Sequence, residues 1–427
     1  MSALIIFAIL LTLMLTGMPI SISLGLTVLT FLFTMTQVPL EAVALKLFTG
    51  IEKFEIMAIP FFILAGNFLT HGGVARRMIN FAASMVGHWY GGLALAGVLA
   101  CALFAAVSGS SPATVVAIGS ILLPGMVKAG FPMKFGAGVI ATSGALGILI
   151  PPSIVMVMYS VATNTSVGAL FMAGVISGLV MASMLGGVTW YRAKKFNYPR
   201  QPKASWRERL RTFRASAWGL MLIIVVMGGI YSGIFTPTEA AAMSAVYAFF
   251  VAVFVYKDMG LKDVPKVLLN SANMSAMLLY IITNAVMFSF ILANENIPQE
   301  LASWLLSKGL GQIAFLLAVN VLLLMAGNFM EPSSIVLIFA PILFPVAIKL
   351  GVDPVHFGIM MVVNMEVGMC HPPVGLNLYV ASGITKMGIT ELTVAVWPWL
   401  LTMLVFLVGV TYWPTLSIWL PRALGMM

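Results

Sequence analysis

The sequence predicts an all-α polytopic membrane protein built from two inverted repeats, each with a re-entrant helical hairpin and a broken helix. Three observations carry that prediction. Of 427 residues, 61% are hydrophobic and only 8% charged, too few charges to cover a soluble surface of this size. Apolar runs of roughly 18 or more residues recur from end to end, each long enough to span a hydrocarbon core of about 30 Å. Polar, Gly- and Pro-rich breaks interrupt some of these runs at corresponding places in the two halves. The runs are continuous rather than short and alternating, so the spans are helices and not barrel strands.

Taken in order, the first apolar segment, Leu4 to Leu15, lacks a basic flank and a small-residue cleavage site, and reads as a retained helix. Pro19 is where the first 35 residues would divide into two short helices. Cys101 and Cys370 lie in apolar segments without zinc or redox spacing and read as small core residues. The four histidines form no pair at metal-ligand spacing. The net charge of +9 does not point to nucleic acid. Nine of the 22 Lys and Arg residues fall between Arg192 and Arg214, opposed only by Glu208, and such a cluster beside spans marks a cytoplasmic loop.

This basic loop, 192–214, divides the chain into a first repeat, 1–191, and a second, 215–427. Threading spans outward from it in both directions places 17 of the 22 basic residues in the cytoplasm. The other five, Lys46, Lys53, Lys308, Lys349 and Arg422, face outward with both termini. At an offset of 221, residues 121–152 match 342–373 at eight of 32 positions, including Lys128/Lys349, Gly130/Gly351, Gly147/Gly368, Pro151/Pro372 and Pro152/Pro373. Lys128 threads to the inside and Lys349 to the outside, so the repeats are inverted. Secondary transporters use that architecture, with the binding site at the repeat interface near the bilayer midplane.

Four breaks carry the chemistry. Ser108-Gly109-Ser110-Ser111-Pro112-Ala113-Thr114 lies between apolar arms of about 18 and 12 residues and predicts a hairpin with its tip at 108–112. Ser111 is a natural N-cap and Pro112 a natural first helical residue, so the second arm would aim free amides at the tip. That suits an anionic group, while hydroxyls and unwound carbonyls suit a hard cation. Serines that merely pack between helices are the alternative. The second tip, 328–332 within Gly327 to Ser334, repeats the logic with Glu331 at the N-cap and Pro332 opening the next arm. A carboxylate between apolar arms signals an ion or proton role unless it only caps a shallow helix. The helix breaks at about 147–153 and 368–373 pair Gly with Pro-Pro, which removes two amide donors and frees carbonyls to hold Na⁺ or simply kinks the helix. Thr163, Asn164 and Asn377 lie just beyond. Glu366 and His371 offer a proton relay as an alternative. Gly174 and Gly178 have the spacing of a packing motif. No P-loop pattern occurs, which argues against direct ATP use.

At these motifs the sequence resembles the large membrane subunit of a tripartite ATP-independent periplasmic (TRAP) transporter over nearly its whole length. The resemblance rests on Ile59 to Gly66, Ser108 to Thr114, Gly147 to Ser153, Phe235-Thr236-Pro237-Thr238-Glu239-Ala240 and Pro372-Pro373-Val374-Gly375-Leu376-Asn377-Leu378. The family often carries Asp where Glu331 stands and Thr where His371 stands. The resemblance implies an elevator mechanism driven by a Na⁺ gradient in a bacterial inner membrane. It also implies a periplasmic substrate-binding protein that delivers an organic acid of the C4-dicarboxylate type, and a small membrane subunit as a further partner. It implies one Na⁺ site at Ser108, Ser110 and Gly147, and another at Asn328, Glu331, Gly368 and His371, the last through its carbonyl. Substrate contacts carry over to Ser110, Ser111, Ser333 and Ser334, with Thr114, Asn164 and Asn377 as further polar candidates. Two other readings are a carrier acting alone and an intramembrane hydrolase; the second lacks a base for Ser108 to Ser111.

Overall fold

The computed structural model describes residues 2–36, 38–308, 311–328, 330–372 and 375–427. Phe329 of the second tip, and Pro373 and Val374 of the second break, lie outside the described residues. Twenty α-helices and no strand occur among the described residues. Helices α1 (Ser2–Leu15) and α2 (Ile20–Met35) are separated at Pro19, as expected, and α3 (Leu40–Thr49) follows. A 3-10 turn, Phe54–Met57, leads into α4 (Ala58–His71) and then α5 (Val74–Val86).

The hairpin arms are α6 (Gly92–Ser108) and α7 (Ser111–Lys128). The second arm runs 18 residues instead of about 12, because Pro124 lies inside α7 without ending it. Helix α8 (Met133–Ser143) passes into a 3-10 turn, Gly144–Ile148, breaks at Pro151 and Pro152, and resumes as α9 (Ile154–Thr163), where the Ser153 hydroxyl caps Met156 N. Helix α10 (Val167–Lys195) is the longest of the first half. Its Gly174 and Gly178 do pack closely: an added Cβ would stand 2.6 Å from Leu149 O and 2.5 Å from Ile150 Cγ1, so both glycines let α10 seat against the break.

The basic stretch 192–214, expected as a loop, is mostly helical. Arg192, Lys194 and Lys195 form the last turn of α10, where cations complement the exposed carbonyls. After a non-helical segment at 196–205, α11 (Trp206–Tyr231) begins with Ser205 as N-cap, so Arg207 to Arg214 ride on its first turns. Helix α12 (Pro237–Phe250) starts with a capping box in which Thr236 and Glu239 satisfy each other's amides, and it extends through a π segment, Val251–Val255.

The second half then repeats the first half's succession of hairpin and broken helix. Helices α13 (Val264–Asn294) and α14 (Ile297–Ser307) precede the hairpin α15 (Gln312–Gly327) and α16 (Pro332–Lys349). The broken helix α17 (Pro354–Cys370) and α18 (Leu376–Thr385) follows, then α19 (Ile389–Tyr412) and α20 (Thr415–Ala423). The second arms of the two hairpins have 18 residues each, and the helices beyond the breaks have ten each. The halves interlock: α7 packs on α18, and α16 packs on α9. Trp399 on α19, fully buried, donates to Thr189 Oγ1 of α10 at 2.8 Å.

Candidate functional site

Both hairpin tips reach one cavity of about 620 Å³. Gly109 to Ala113 line it from the first tip, and Glu331 to Ser334 from the second. Ile148 and Ile154 contribute from the first break, Met369 and Leu376 from the second, and Met274 to Ile281 of α13 close another side. The first turns of α7 and α16 both line this space, so each helix brings its N-terminal, positive dipole end to it.

Each break glycine touches the backbone of its own tip. A Cβ on Gly147 would meet Ser110 O at 2.6 Å and Ser111 Cα at 2.8 Å; one on Gly368 would meet Gly327 Cα at 3.0 Å. These are the positions paired by the 221-residue offset, and only a residue without a side chain permits so close an approach. Beside Gly147 three oxygens gather: Ser108 Oγ lies 2.8 Å from Thr114 Oγ1 and 3.2 Å from Ser110 O, and Thr114 Oγ1 donates to Ser110 O at 2.9 Å. The N-cap of α7 is Ser110 and not Ser111. Gly109, at φ +58°, turns the chain and the helix starts one residue earlier than expected, so Ser111 opens it with Pro112 second.

At the second tip Glu331 is the N-cap of α16, and Pro332 opens that helix. The Ser333 and Ser334 hydroxyls donate to its carboxylate at 2.5 and 3.4 Å. With its amide nitrogen turned to the break, Asn328 donates to His371 Nδ1 at 2.9 Å and to Pro372 O at 3.1 Å. His371 is therefore held by the tip, not by Glu366. Glu366 is fully buried on α17, and neither of its oxygens has a partner among the described residues, so the hydrogen bond that a Glu366–His371 relay requires is not made.

Asn377 stands behind the first tip and ties the halves together. Its Nδ2 donates to Ser111 Oγ at 2.8 Å and to Ala141 O of α8 at 3.1 Å. Asn377→Leu is expected to strand these buried partners and lower stability by about 2 kcal/mol. Thermal unfolding in detergent would measure it, and an unchanged midpoint would deny the tie any role. Thr114 is likewise buried behind the tip. Asn164 is elsewhere: it ends α9 in the left-handed conformation, and its Oδ1 accepts from Lys53 Nζ at 2.7 Å in a separate cavity. Sequence reasoning passed over Asn320 and Asn364. Asn364 Nδ2 donates to Asn320 Oδ1 at 2.8 Å, and Asn320 Nδ2 to Thr411 Oγ1 at 2.9 Å, in a buried polar seam between α15, α17 and α19. Polar amides inside apolar spans were the signal for it.

Residues 7–416 match the family described as the DctM component of the tripartite ATP-independent periplasmic transporter. Among similar curated proteins, a C4-dicarboxylate TRAP transporter large permease of Rhodobacter capsulatus is 76% identical, with 100% of both chains covered. One with the same description from Pseudomonas aeruginosa is 55% identical over 95% of each chain. A sialic acid TRAP transporter large permease of Vibrio cholerae is 36% identical over 95% of each. Among solved structures, the Alcanivorax borkumensis YdaH transporter shares the fold at a TM-score of 0.65 and 16% identity, over 90% of this chain and 88% of that one. The family consists of transporter subunits, which removes the intramembrane-hydrolase reading. With eight helices long and apolar enough to cross a bilayer among the described residues, and the family match running nearly end to end, this chain belongs to the DctM family of TRAP transporter large membrane subunits.

Proposed function

We propose that the chain carries a C4-dicarboxylate inward across the bacterial inner membrane, coupled to Na⁺. In this reading it works with a small membrane subunit and a periplasmic binding protein that delivers the substrate. The observation that carries it is the meeting of both hairpin tips, each seated on its own break glycine, at one cavity. Two helix N-termini facing one space match a ligand with two carboxylates, one for each. The hydroxyl and carbonyl oxygens at Ser108, Ser110 and Thr114 suit Na⁺, and so do Glu331, Asn328 and the backbone at Gly368 and His371.

Coupling follows from charge. Glu331 lines the cavity, and its carboxylate repels a dianion by about 3 kcal/mol per charge pair at roughly 5 Å and an effective dielectric of 20. A cation bound beside Glu331 removes that repulsion, so Na⁺ enters first. Met274 to Ile281 straddle the middle of α13, which supports a site near the bilayer midplane. All four ion pairs among the described residues join groups threaded to the same side: Arg76 and Arg77 with Asp258, Lys134 with Glu391, and Arg422 with Asp353. That supports the threading of the spans, and the cytoplasmic side of 192–214 follows from its basic charge. The substrate class follows the relatives at 76% and 55% identity. Carriage of the site on a body that slides past α2, α4 and α13 is the elevator step.

Reconstitution in proteoliposomes tests the proposal. Succinate uptake is expected only with an inward Na⁺ gradient, the binding protein and the small subunit all present. Uptake by this chain alone would overturn the tripartite assignment, and uptake indifferent to Na⁺ would overturn the coupling.

A further inference from the structure

We propose that Lys46 and Lys53 form an outer anion-binding station through which the substrate passes before it reaches the hairpin tips. A cavity of about 310 Å³ is lined by both lysines. It is stacked on the tip cavity along three shared helices. Helix α9 supplies Ile154 and Val155 to the tip cavity and Val161 and Ala162 to the outer one. Helix α13 supplies Met274 to Ile281 and then Ala285 to Ser289, and α16 supplies Pro332 to Ser334 and then Leu337 and Pro341. At 1.5 Å per helical residue, the two spaces are about 10 Å apart, with the lysines on the outward side of the threading.

The chemistry of the outer cavity fits a carboxylate. Neither lysine has a carboxylate at ion-pair distance among the described residues. Lys53 Nζ instead donates to two neutral acceptors, Val161 O at 2.5 Å and Asn164 Oδ1 at 2.7 Å, and Lys46 Nζ lies 5.4 Å from the centre of the Phe290 ring. Burial pushes the Lys53 ammonium below its ordinary range, with Glu55 offsetting part of that. An anion beside it relieves the same desolvation. Two cations without an ion-pair partner among the described residues, at the mouth of an apolar path, raise the local concentration of anions and hold them within reach of the inner site. Asn164 acts here, holding Lys53 between passages, and not at the tips.

The inference rests on the anion-transport reading, and the experiment separates the two. The purified wild-type transporter, without binding protein, is treated with an amine-reactive acylating reagent, and modification at each lysine is read by mass spectrometry. Succinate is expected to slow modification of Lys46 and Lys53 at least about threefold, with Lys308 unaffected and neutral succinamide without effect. In the complete reconstituted system, Lys46→Gln with Lys53→Gln is expected to lower subsaturating succinate uptake about tenfold, and Arg at both positions to restore most of it. Equal modification with and without succinate, in a wild-type system that imports succinate, would overturn the station and leave the transport reading standing. Failure of the wild type to import succinate would instead strike the transport reading.

Discussion

Glu331→Gln is expected to cut Na⁺-driven succinate uptake by about a hundredfold, equivalent to ~2.7 kcal/mol. The affinity of the binding protein for substrate should stay unchanged. Gln preserves the volume and can still accept from the Ser333 hydroxyl, which donates to Oε1 at 2.5 Å. What it removes is the charge, and with it both the attraction for Na⁺ and the repulsion that makes entry of the dianion depend on Na⁺. The two losses act on different readouts. Half-saturation for Na⁺ should rise, and whatever uptake remains should depend less steeply on Na⁺. Wild-type transport with wild-type Na⁺ dependence would remove Glu331 from the ion site.

Gly147→Ala should be nearly as damaging for a different reason. The new methyl would stand 2.6 Å from Ser110 O and 2.8 Å from Ser111 Cα, and both are backbone atoms that cannot rotate away. Either the tip lifts from the break or the break shifts, at a cost of about 1–3 kcal/mol. The oxygens of Ser108, Ser110 and Thr114 would lose their common geometry with it. Uptake is expected to fall at least about tenfold, and the thermal midpoint in detergent should drop. Gly125→Ala is the control: a Cβ there meets nothing within 4 Å, and Ala favours the helix. Equal behaviour of the two variants would mean that the contact between break and tip does not shape the site.

Much of this architecture was legible in the residues because its causes are local. Polar interruptions at 108–112 and 328–332, with Gly109 inside the first and Gly327 just before the second, must turn the chain, and Pro151-Pro152 must break a helix, because the missing amides belong to those residues wherever they sit. Boundaries were less legible. Gly109 in the left-handed conformation moved the N-cap to Ser110, and Pro124 was absorbed into α7. The basic stretch 192–214 read as a loop from its charge, yet charge does not forbid helix; Ser205 and the ends of α10 and α11 turned most of it helical.

The sequence by itself determined that this is a helical membrane chain with two interrupted hairpins and two broken helices, since hydropathy and missing backbone donors act within a few residues. Only the tertiary structure decided which polar groups meet. Ser111 found Asn377 across 266 positions, Lys53 found Asn164 across 111, and Asn328 settled on His371 while Glu366 was left without a partner among the described residues. The first of those pairings joins the two halves and the others join distant segments of one half, and packing between distant segments leaves no mark in local composition.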